Sequence, residues 1–590
     1  MTRLPNRNEE RALIPVPLWG LNTKDDASQM SPLFASDLSN VMADDPKGIN
    51  KRSGMTLFNT GMMPVTLTGS ITSITSQSVS GATGVVWSDV VTAGYLFKMA
   101  SGTNIYKISG LNSNATLNLT ADYSDTVTTG SYYIGPPAVY GLNTYTKGTT
   151  QKLIGFGGGT FFDGGSSATG EFTNKFDALT SGKRVSSVTF QDVLLYCNGY
   201  EFQTWDGTTI AAVGGSPAPA DPKFVDVYSN GSSNWVVIGG SETDADRSEL
   251  AFSDVNTNGT WPAANRYQVS ERDGGAVLMG KQTPNGYLVF KDNGIFMFGG
   301  IPGSSGSLKR ISNIGCPCPW SVVSYENQVY FVGTREGRVG VFKYIGGNSI
   351  ISIADFIEPT LNGLKVSALS QVCGEIYNEK YYISGTSSSG TYNDRHFVCY
   401  INRPFRTDDG RLGYPWFKGN RGFNFLKSVT ISGAPYLFSG SPTSGYVYRE
   451  ENGTSDDTTD NIFGNAAAID AYITTKNFDL GDPTVQKELL RGNINVNAVG
   501  AWNINLDLYR DFQTYGYTRH PINIDTETSL WSQVVFGVTP WQTATGKNID
   551  EVLFAWPSMA YYFKFRWANA NADEYFTVFP MNIYFKREGR

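Results

Sequence analysis

The feature that most constrains the fold is a short strand–turn–strand unit that recurs along the chain. It is clearest in residues 287–290 with 295–298, and again in residues 329–332 with 339–342. Short aromatic and β-branched runs that are split by Gly, Asn and Asp residues are typical of β-hairpins. The two hairpins begin 42 residues apart, which is about the length of one β-propeller blade.

Eight such units lie between residues 61 and 455, and successive units begin roughly 40 to 58 residues apart. The other six pair residues 95–97 with 105–108, 153–156 with 160–163, 193–196 with 202–205, 235–238 with 250–252, 381–383 with 396–400, and 436–438 with 446–448. This spacing predicts an all-β protein whose residues 61–455 form a propeller of six to eight blades. A row of β-sandwiches is the alternative, and it would show less regular spacing.

The two ends of the chain differ from this repeat. Residues 1–60 predict an N-terminal arm, in which Ser31 and Pro32 are typical of the start of a short helix. The arm is apolar, so we expect it to be buried against its own body or a neighbouring subunit. Its apolar residues include Leu13, Ile14, Val16, Leu18 and Trp19.

The C-terminal part shows longer strands after a polar linker at residues 451–461. Apolar and polar residues alternate with a period of two in 493–498, 502–508 and 561–567, with a turn predicted at 499–501. Such alternation is typical of antiparallel strands that cover one core. Residues 456–590 are therefore predicted to form a β-sandwich or barrel domain.

Composition agrees with this architecture and limits the possible partners. The chain has 65 Gly and 13% aromatic residues, whereas charged residues make up 17%, below the usual ~25%. The net charge is −7 and no run of Lys and Arg occurs, so sequence-specific DNA binding is not expected. No apolar run has the length of a signal peptide core or a membrane span, and five cysteines are too few for a disulfide scaffold. We expect the chain to be made in a cytoplasm, with reduced thiols.

The two histidines restrict nucleophilic and zinc chemistry. A Ser-His-Asp, Cys-His or histidine-based zinc site would need His396 or His520. His396 is predicted to lie at a hairpin edge, and His520, which precedes Pro521, in a polar loop. Neither context is typical of a reactive centre, so the sequence predicts no catalytic residue.

Two motifs resemble cofactor or metal sites without the required context. Cys316 and Cys318 are too close for a zinc knuckle and have no second pair, which predicts a tight turn. Residues 275–282 nearly match a phosphate-binding loop. Gln282 replaces the Ser or Thr that would hold magnesium, and the run is predicted to be a strand. No cofactor-binding or metal-binding residue is predicted.

Acidic residues offer two further hypotheses. Residues 254–259 resemble the start of a calcium loop, but Asn265 stands at its twelfth position instead of a bidentate Glu. A propeller turn is therefore favoured, and a calcium ion near Asp254 stays an open alternative. A glycosidase could use two carboxylates, but the paired acids all lie in turn or linker contexts, where solvated turns are expected. These pairs are Asp25-Asp26, Asp44-Asp45, Asp408-Asp409 and Asp456-Asp457.

The order of several segments resembles a known family. Residues 250–342 contain FSD, a Trp-Pro pair, DGG, LVFK-x-x-GIF, GCPCPWSV and VYFVG-x-x-x-G in succession. Further matching segments are 20–22, 30–32, 35–40, 48, 51–54, 471–474, 480–481 and 487. In this order the chain resembles the tail tube or nozzle proteins of short-tailed bacteriophages.

This resemblance implies a structural virion protein rather than an enzyme. It implies a hexameric ring that docks below a head-to-tail adaptor, carries tail fibres or tailspikes, and encloses a channel for ejection of double-stranded DNA. Assembly would take place in the host cytoplasm, and the mild negative charge would let DNA slide through. A propeller glycosidase acting on cell-surface polysaccharide is the alternative. A monomeric binding propeller is the third hypothesis, although the single Trp205-Asp206 pair does not support a WD-type repeat.

Overall fold

The computed structural model describes residues 9–588 apart from 60, 64–68, 83, 84, 86, 88–90, 92, 103, 177, 215–220, 243–246, 271, 272, 458–466, 499–501, 525–547 and 554–558. Strands dominate these residues, as the sequence predicts. The short helices are the 3-10 turns Ala263–Asn265, Pro319–Ser321, Asp355–Ile357 and Val366–Gln371, and the α-helix Glu358–Leu361.

Seven four-stranded antiparallel sheets, counted over the described residues, form a β-propeller. From the innermost strand outward, blade 1 is Val139–Lys147, Thr150–Gly157, Thr160–Asp163 and Thr173–Phe176; blade 2 is Ser186–Phe190, Val193–Cys197, Phe202–Trp205 and Ile210–Ala212; blade 3 is Pro222–Ser229, Asn234–Ser241, Glu249–Phe252 and Arg266–Gln268; blade 4 is Val277–Thr283, Gly286–Lys291, Gly294–Gly299 and Ser307–Ser312. Blade 5 is Val323–Tyr325, Gln328–Arg335, Arg338–Gly346 and Ser349–Ser352; blade 6 is Cys373–Tyr377, Lys380–Gly385, Arg395–Tyr400 and Trp416–Gly419; blade 7 is Phe425–Ile431, Ala434–Gly440, Val447–Arg449 and Thr56–Leu57. A two-stranded sheet, Phe405–Arg406 with Leu412–Gly413, projects from blade 6.

The ring is closed by the N-terminal part of the chain. The innermost strand of each blade lies against that of the next, and blade 7 lies against blade 1. The outermost strand of blade 7, Thr56–Leu57, pairs with Val447–Arg449 from nearly 400 residues later. Blade 7 therefore needs both halves of the chain, which resists opening of the ring.

Seven of the eight predicted hairpins are the two middle strands of the seven blades. Their aromatic and branched side chains are buried because the middle strands contact neighbouring blades on both faces: in blade 4, Leu288 packs toward blade 5 and Val289 toward blade 3. The eighth hairpin, at residues 95–108, belongs to a separate six-stranded sheet. Eight repeated units thus correspond to seven blades and one additional sheet.

The additional sheet lies in the sequence between the closing strand and blade 1. Its strands, in spatial order, are Tyr132–Gly135, Leu96–Met99, Tyr106–Ser113, Thr116–Leu119, Ser78–Gly81 and Ile71–Thr75. It has its own apolar core, which includes Trp87, Phe97 and Ile108. The Tyr95 hydroxyl donates a hydrogen bond to the carbonyl of Gly158 and so connects this sheet to blade 1.

The C-terminal domain is a β-sandwich that incorporates the N-terminal strands. One sheet has the order Glu10–Ile14, Met581–Arg587, Lys487–Ala498, Phe576–Val578, Ile49–Lys51 and Val41–Met42, with Asn548–Leu553 and Met559–Ala560 also paired to Lys487–Ala498. The other has the order Asp37–Ser39, Ala471–Thr474, Phe563–Asn569, Trp502–Arg510 and Thr518–Ile524. Their apolar faces form one core, which continues into blades 5 and 6.

The N-terminal segment is therefore part of both domains rather than a separate arm. Ile14 and Val16 are buried on the chain's own body, and Trp19 stacks on Phe405 with ring centroids 4.3 Å apart. Leu13, which belongs to the same apolar run, is exposed.

The short helix predicted from Ser31 and Pro32 does not form. Residues 31–34 make a turn, and Asp37–Ser39 is a strand in which Leu38 pairs with Ile473. Extended pairing to a distant strand overrides the local helix-start signal.

The sequence also predicts a turn at residues 499–501. The turn itself lies outside the described residues. The flanking strands Lys487–Ala498 and Trp502–Arg510 belong to different sheets, so the chain crosses the sandwich between them. Alternation predicts which face of each strand is apolar, but two facing sheets and one hairpin produce the same pattern.

Candidate functional site

A group of charges lies where the propeller meets the sandwich, and we call it the ionic junction. It consists of Asp44, Arg52, Lys380, Glu451 and Asp456. Arg52, Lys380 and Asp456 are buried, Glu451 is half-buried, and Asp44 lies at the exposed edge. Buried charges are costly unless they are paired, so their pairing determines what this region can do.

Local structure places the N-terminal members of the junction. Val41–Met42 and Ile49–Lys51 pair as a hairpin, with Asp44 in its loop and Arg52 directly after it. Gly54 follows, and a Cβ there would lie 1.8 Å from the carbonyl oxygen of Ser455. Only glycine allows this approach, and it brings the segment that contains Asp456 next to Arg52.

Arg52 and Asp456 form a two-point ion pair. Arg52 Nη1 donates to Asp456 Oδ1 at 2.8 Å and Nη2 donates to Oδ2 at 2.5 Å. Burial alone would raise the pKa of Asp456, but the charge and hydrogen bonds of Arg52 outweigh it and hold the pKa below its usual value. Arg52 Nε also donates to Asn40 Oδ1 at 3.0 Å. The guanidinium thus connects the N-terminal segment to the residues that follow blade 7.

Lys380 forms the second centre of the junction. Its ammonium, at the start of the second strand of blade 6, contacts Asp44 Oδ1 at 3.1 Å and also Glu451 Oε1. Burial alone would lower the pKa of Lys380, but the two carboxylates outweigh it and raise the pKa. Tyr382 donates to Glu451, and Tyr400 donates to Asp44 at 2.7 Å. These contacts join blade 6 to blade 7 and to the sandwich hairpin.

His396 lies beside the junction and is neutral. It belongs to the third strand of blade 6, which pairs with strands on both sides, so its predicted position at a hairpin edge is corrected. Its Nδ1 lies 2.8 Å from the carbonyl oxygen of Arg421, so Nδ1 is the donor. Burial, with the nearby Arg52 charge, lowers the pKa of His396 to about 3. Such an imidazole is a poor proton acceptor at neutral pH.

His520 also differs from its predicted surroundings. It is a half-buried residue of the strand Thr518–Ile524, where it pairs with Leu506, and does not lie in a polar loop. Burial lowers the pKa of His520. The structure therefore does not bring the two histidines into one site: one lies in blade 6 and the other in the sandwich.

The cysteine pair and the phosphate-loop-like run are parts of the folded propeller: the cysteines are buried, and the run is a strand. Cys316 and Cys318 are free and buried, Cys316 between blades 4 and 5 and Cys318 in the core that continues into blades 5 and 6. Burial raises the pKa of Cys316 to about 12. Gly315 before them allows close packing, since a Cβ there would lie 1.9 Å from the carbonyl oxygen of Asp292. Val277–Thr283 is a strand, so the strand prediction for the phosphate-loop-like run is confirmed.

The acidic motifs have different environments. Residues 254–259 form a turn, in which Asp254 Oδ1 accepts from the backbone of Val255 at 2.8 Å. Asp25 and Asp409 pair with Arg411 near the surface. Asp456 contradicts the expectation of a solvated turn, because it is only 8% exposed and bonded to Arg52.

Sequence reasoning missed most of the junction. Arg52 belongs to the matching segment 51–54 and Glu451 to the predicted polar linker, whereas Lys380 belongs to no motif of the sequence. An apolar hairpin beginning with lysine, as in residues 380–383, is the local signal that could have suggested a buried cation.

The propeller axis contains a small polar cavity. It has a volume of ≈ 350 Å³ and is lined by residues from all seven innermost strands or the segments before them. Lys281 lies 3.9 Å from Asp226, and Lys427 lies 3.2 Å from Glu375. A cavity of this size suits a small molecule rather than a nucleic-acid duplex.

The structure also limits metal and membrane interpretations. No group of three or more His, Cys, Asp or Glu side chains suited to a metal ion occurs in the part of the chain that the structure describes. In that same part, no helix combines the length and apolar character needed to cross a bilayer.

Comparisons with known proteins give remote similarities of fold. No family model and no curated protein matches the chain. Among solved structures, the extracellular domain of a hybrid two-component system from B. thetaiotaomicron is 10% identical with a TM-score of 0.31, over 72% of this chain and 51% of that chain. The chain thus spans about half the length of that structure.

Two further similarities are to an enzyme and to a WD40 domain. An ancestral GH74 enzyme is 12% identical with a TM-score of 0.27, over 65% of each chain. The WD40 domain of SCAP from fission yeast is 10% identical with a TM-score of 0.28, over 61% of this chain and 95% of that domain. With TM-scores below 0.5, these similarities carry no argument about this chain, and its β-propeller is established by the strand pairing described above.

Proposed function

We propose that this chain is a structural subunit of a short-tailed bacteriophage virion, in the tail nozzle or tube below the head-to-tail adaptor. The observation that carries the proposal is the ionic junction, which fastens the propeller to the sandwich through a shared N-terminal segment. A wall element that guides DNA must keep its domains in fixed relative positions. The two ion pairs Arg52–Asp456 and Lys380–Glu451 suit that requirement.

The small size of the propeller cavity supports a DNA path that lies outside the propeller. Because the cavity holds only ≈ 350 Å³, double-stranded DNA would pass along the axis of a ring of subunits and not through a propeller. The proposed ring contains six copies, and tail fibres or tailspikes would attach outside it. The net charge of −7 is compatible with a wall that does not retain phosphate.

An exposed aromatic tip supports contact with another copy. We call residues 511–517 and 561–562 the aromatic tip; here Tyr515 is 87% exposed and Phe512 is 53% exposed. Phe512 packs on Tyr562 with ring centroids 4.6 Å apart. Aromatic side chains are enriched at protein interfaces and are costly to leave in water. On this proposal the tip packs against the neighbouring subunit of the ring.

Assembly of the purified full chain tests the proposal. Light scattering and electron microscopy are expected to show six-fold rings with a central bore, either alone or with the adaptor protein. Tyr515→Asp should prevent ring formation while leaving the monomer folded. Val366→Asp is the matched control, since Val366 is 72% exposed on the propeller and should not affect assembly. The proposal would be overturned if the purified chain stayed monomeric in the presence of the adaptor protein and the chain were absent from virions.

The glycosidase alternative has one observation in its favour. Asp226 and Glu375 both line the propeller cavity, as two catalytic carboxylates would. Each faces a lysine, which suits a structural ion pair equally well. The alternative would be favoured over the virion role if the native chain released sugar from host polysaccharide and the variants Asp226→Asn and Glu375→Gln did not.

A further inference from the structure

A buried arginine lies at one end of the propeller cavity, which we call the propeller channel. Arg184 precedes the innermost strand of blade 2, and its Nη2 donates to the carbonyl oxygen of Gln371 at 2.7 Å and to Asn424 Oδ1 at 2.9 Å. These acceptors precede the innermost strands of blades 6 and 7. Because blades 2 and 6 are not neighbours in the ring, the side chain of Arg184 reaches across this end of the channel.

The charge of Arg184 is not compensated. Arg184 is 8% exposed, and its Nε and Nη1 have no hydrogen-bond acceptor among the described residues. Within that same part of the chain, no carboxylate pairs with it. The neighbouring thiol of Cys373 supplies no counter-charge at neutral pH, because burial raises its pKa to about 11 despite the nearby guanidinium.

The channel beside Arg184 has the character of a small-molecule site. Trp320 and Phe425 line the cavity, and the guanidinium carbon lies 5.9 Å and 6.0 Å from their rings. The walls also contain the hydroxyl groups of Thr144, Thr146 and Ser324. Other polar wall side chains already hydrogen-bond within the protein, namely Asn143, Ser186, Ser187 and Thr189. The two Lys–carboxylate pairs of the channel balance each other, so Arg184 leaves one net positive charge.

We propose that the propeller channel binds an acidic sugar, with its carboxylate or phosphate held by Arg184. Hydroxyl groups of the wall match the hydroxyl groups of a sugar, and an aromatic ring such as Trp320 offers a stacking surface. The anion supplies the missing acceptor for the buried guanidinium, which suits two-point recognition of carboxylate or phosphate. Arg184 Nε and Nη1 are buried beside Trp320, so binding on this proposal requires the half-buried Trp320 side chain to move.

This inference does not rest on the proposed virion role, since a channel site can exist in a monomer or in a ring. It also involves no bond cleavage. The glycosidase alternative requires turnover, whereas the present inference requires only reversible binding, and the two are distinguished by whether the sugar is recovered unchanged.

Calorimetric titration of the full chain with three probes tests the inference. Glucuronate and glucose 6-phosphate should each bind at least about tenfold more tightly than glucose, which lacks the anion that a buried charged donor requires. If glucuronate binds more tightly, carboxylate is the preferred group; if glucose 6-phosphate binds more tightly, phosphate is preferred. Absence of saturable binding by both acidic sugars up to about 10 mM would overturn the inference.

Variants locate the site. Arg184→Met should weaken acidic-sugar binding by at least about tenfold, and should not lower the melting temperature of the free protein, because it removes an unpaired buried charge. Arg338→Met is the control, since the side chain of Arg338 is 74% exposed and far from the lining residues, and it should bind normally. If Arg184→Met does not fold, Arg184→Lys should retain weaker binding, because it keeps the charge without the two-point geometry. If the folded Arg184 variant bound the acidic sugars as tightly as the native protein does, the role of Arg184 would be refuted.

Discussion

Removing the charge of Asp456 is expected to weaken the connection between propeller and sandwich. The substitution Asp456→Asn preserves the shape of the side chain but leaves the Arg52 guanidinium, which is 6% exposed, without its counter-ion. Breaking a buried ion pair at one partner typically costs about 3–5 kcal/mol, because the other charge stays buried and unpaired. We therefore expect Asp456→Asn to lower the free energy of unfolding by about that amount.

Equilibrium unfolding in urea, followed by tryptophan fluorescence, measures this loss. With a slope of about 3 kcal/mol per molar urea, the midpoint should fall by about 1 M or more. The double variant Arg52→Met with Asp456→Met should recover most of the loss, because it leaves no unpaired charge. Lys24→Met is the control: it breaks a surface pair with Glu358 and should cost about 0–1 kcal/mol.

The pH dependence gives the same prediction an independent check. The pKa of Asp456 is lower in the folded protein than in the unfolded chain, so its stabilisation is complete above the unfolded value of 3.8 and is lost as pH falls through the folded value. The difference between the native protein and Asp456→Asn should therefore narrow below about pH 4. A loss of less than about 1 kcal/mol at pH 7, or a difference that grows on acidification, would refute the reasoning.

Three further predictions concern other parts of the molecule. His396 is neutral when folded, with a pKa of about 3 against 6.5 unfolded, so stability should fall as pH drops through that window. Between pH 7 and pH 5 the unfolding free energy of the native protein should fall by about 2 kcal/mol more than that of His396→Gln, which lacks the titrating imidazole. The same pH dependence of unfolding free energy in both proteins would contradict this. All five cysteines, Cys316 among them, are buried, so a thiol reagent should modify none in the native protein and five after unfolding; rapid native labelling would argue against the packing. Gly20→Ala should destabilise strongly, because φ is +73° and the new Cβ would lie 2.2 Å from the carbonyl oxygen of Trp416. Gly148→Ala, at φ +56° with no atom within 4 Å, should cost only about 1–2 kcal/mol, and equal melting temperatures for the two variants would refute the steric explanation.

The blades could be predicted from the sequence because their signals are local. A run such as residues 287–298 contains both strands and the turn of one hairpin, and the alternation of burial follows from adjacent residues. The hairpin at residues 95–108 has the same local signal, which is why the additional sheet could not be distinguished from a blade.

Contacts between distant segments could not be predicted in this way. The strand Thr56–Leu57 has no unusual composition, and its role in blade 7 depends on pairing with Tyr448 and Arg449. Asp456 lies in a run of polar residues that is typical of a linker, and its burial follows from the position of Arg52 about 400 residues earlier. Local patterns do not specify which distant residue will supply a partner.

The pairing of the two ends of the chain has a consequence for biosynthesis. Arg11 bonds to Asn582, and the strands around them are neighbours, although 571 positions separate the two residues. At about 5–20 residues per second, the first strand leaves the ribosome roughly half a minute to two minutes before its partner exists. During that interval its backbone edge is open to unintended association. Completion of the fold is thereby deferred until Met581–Arg587 has been synthesised, and a product truncated before this strand would display the vacant edge to chaperones and proteases.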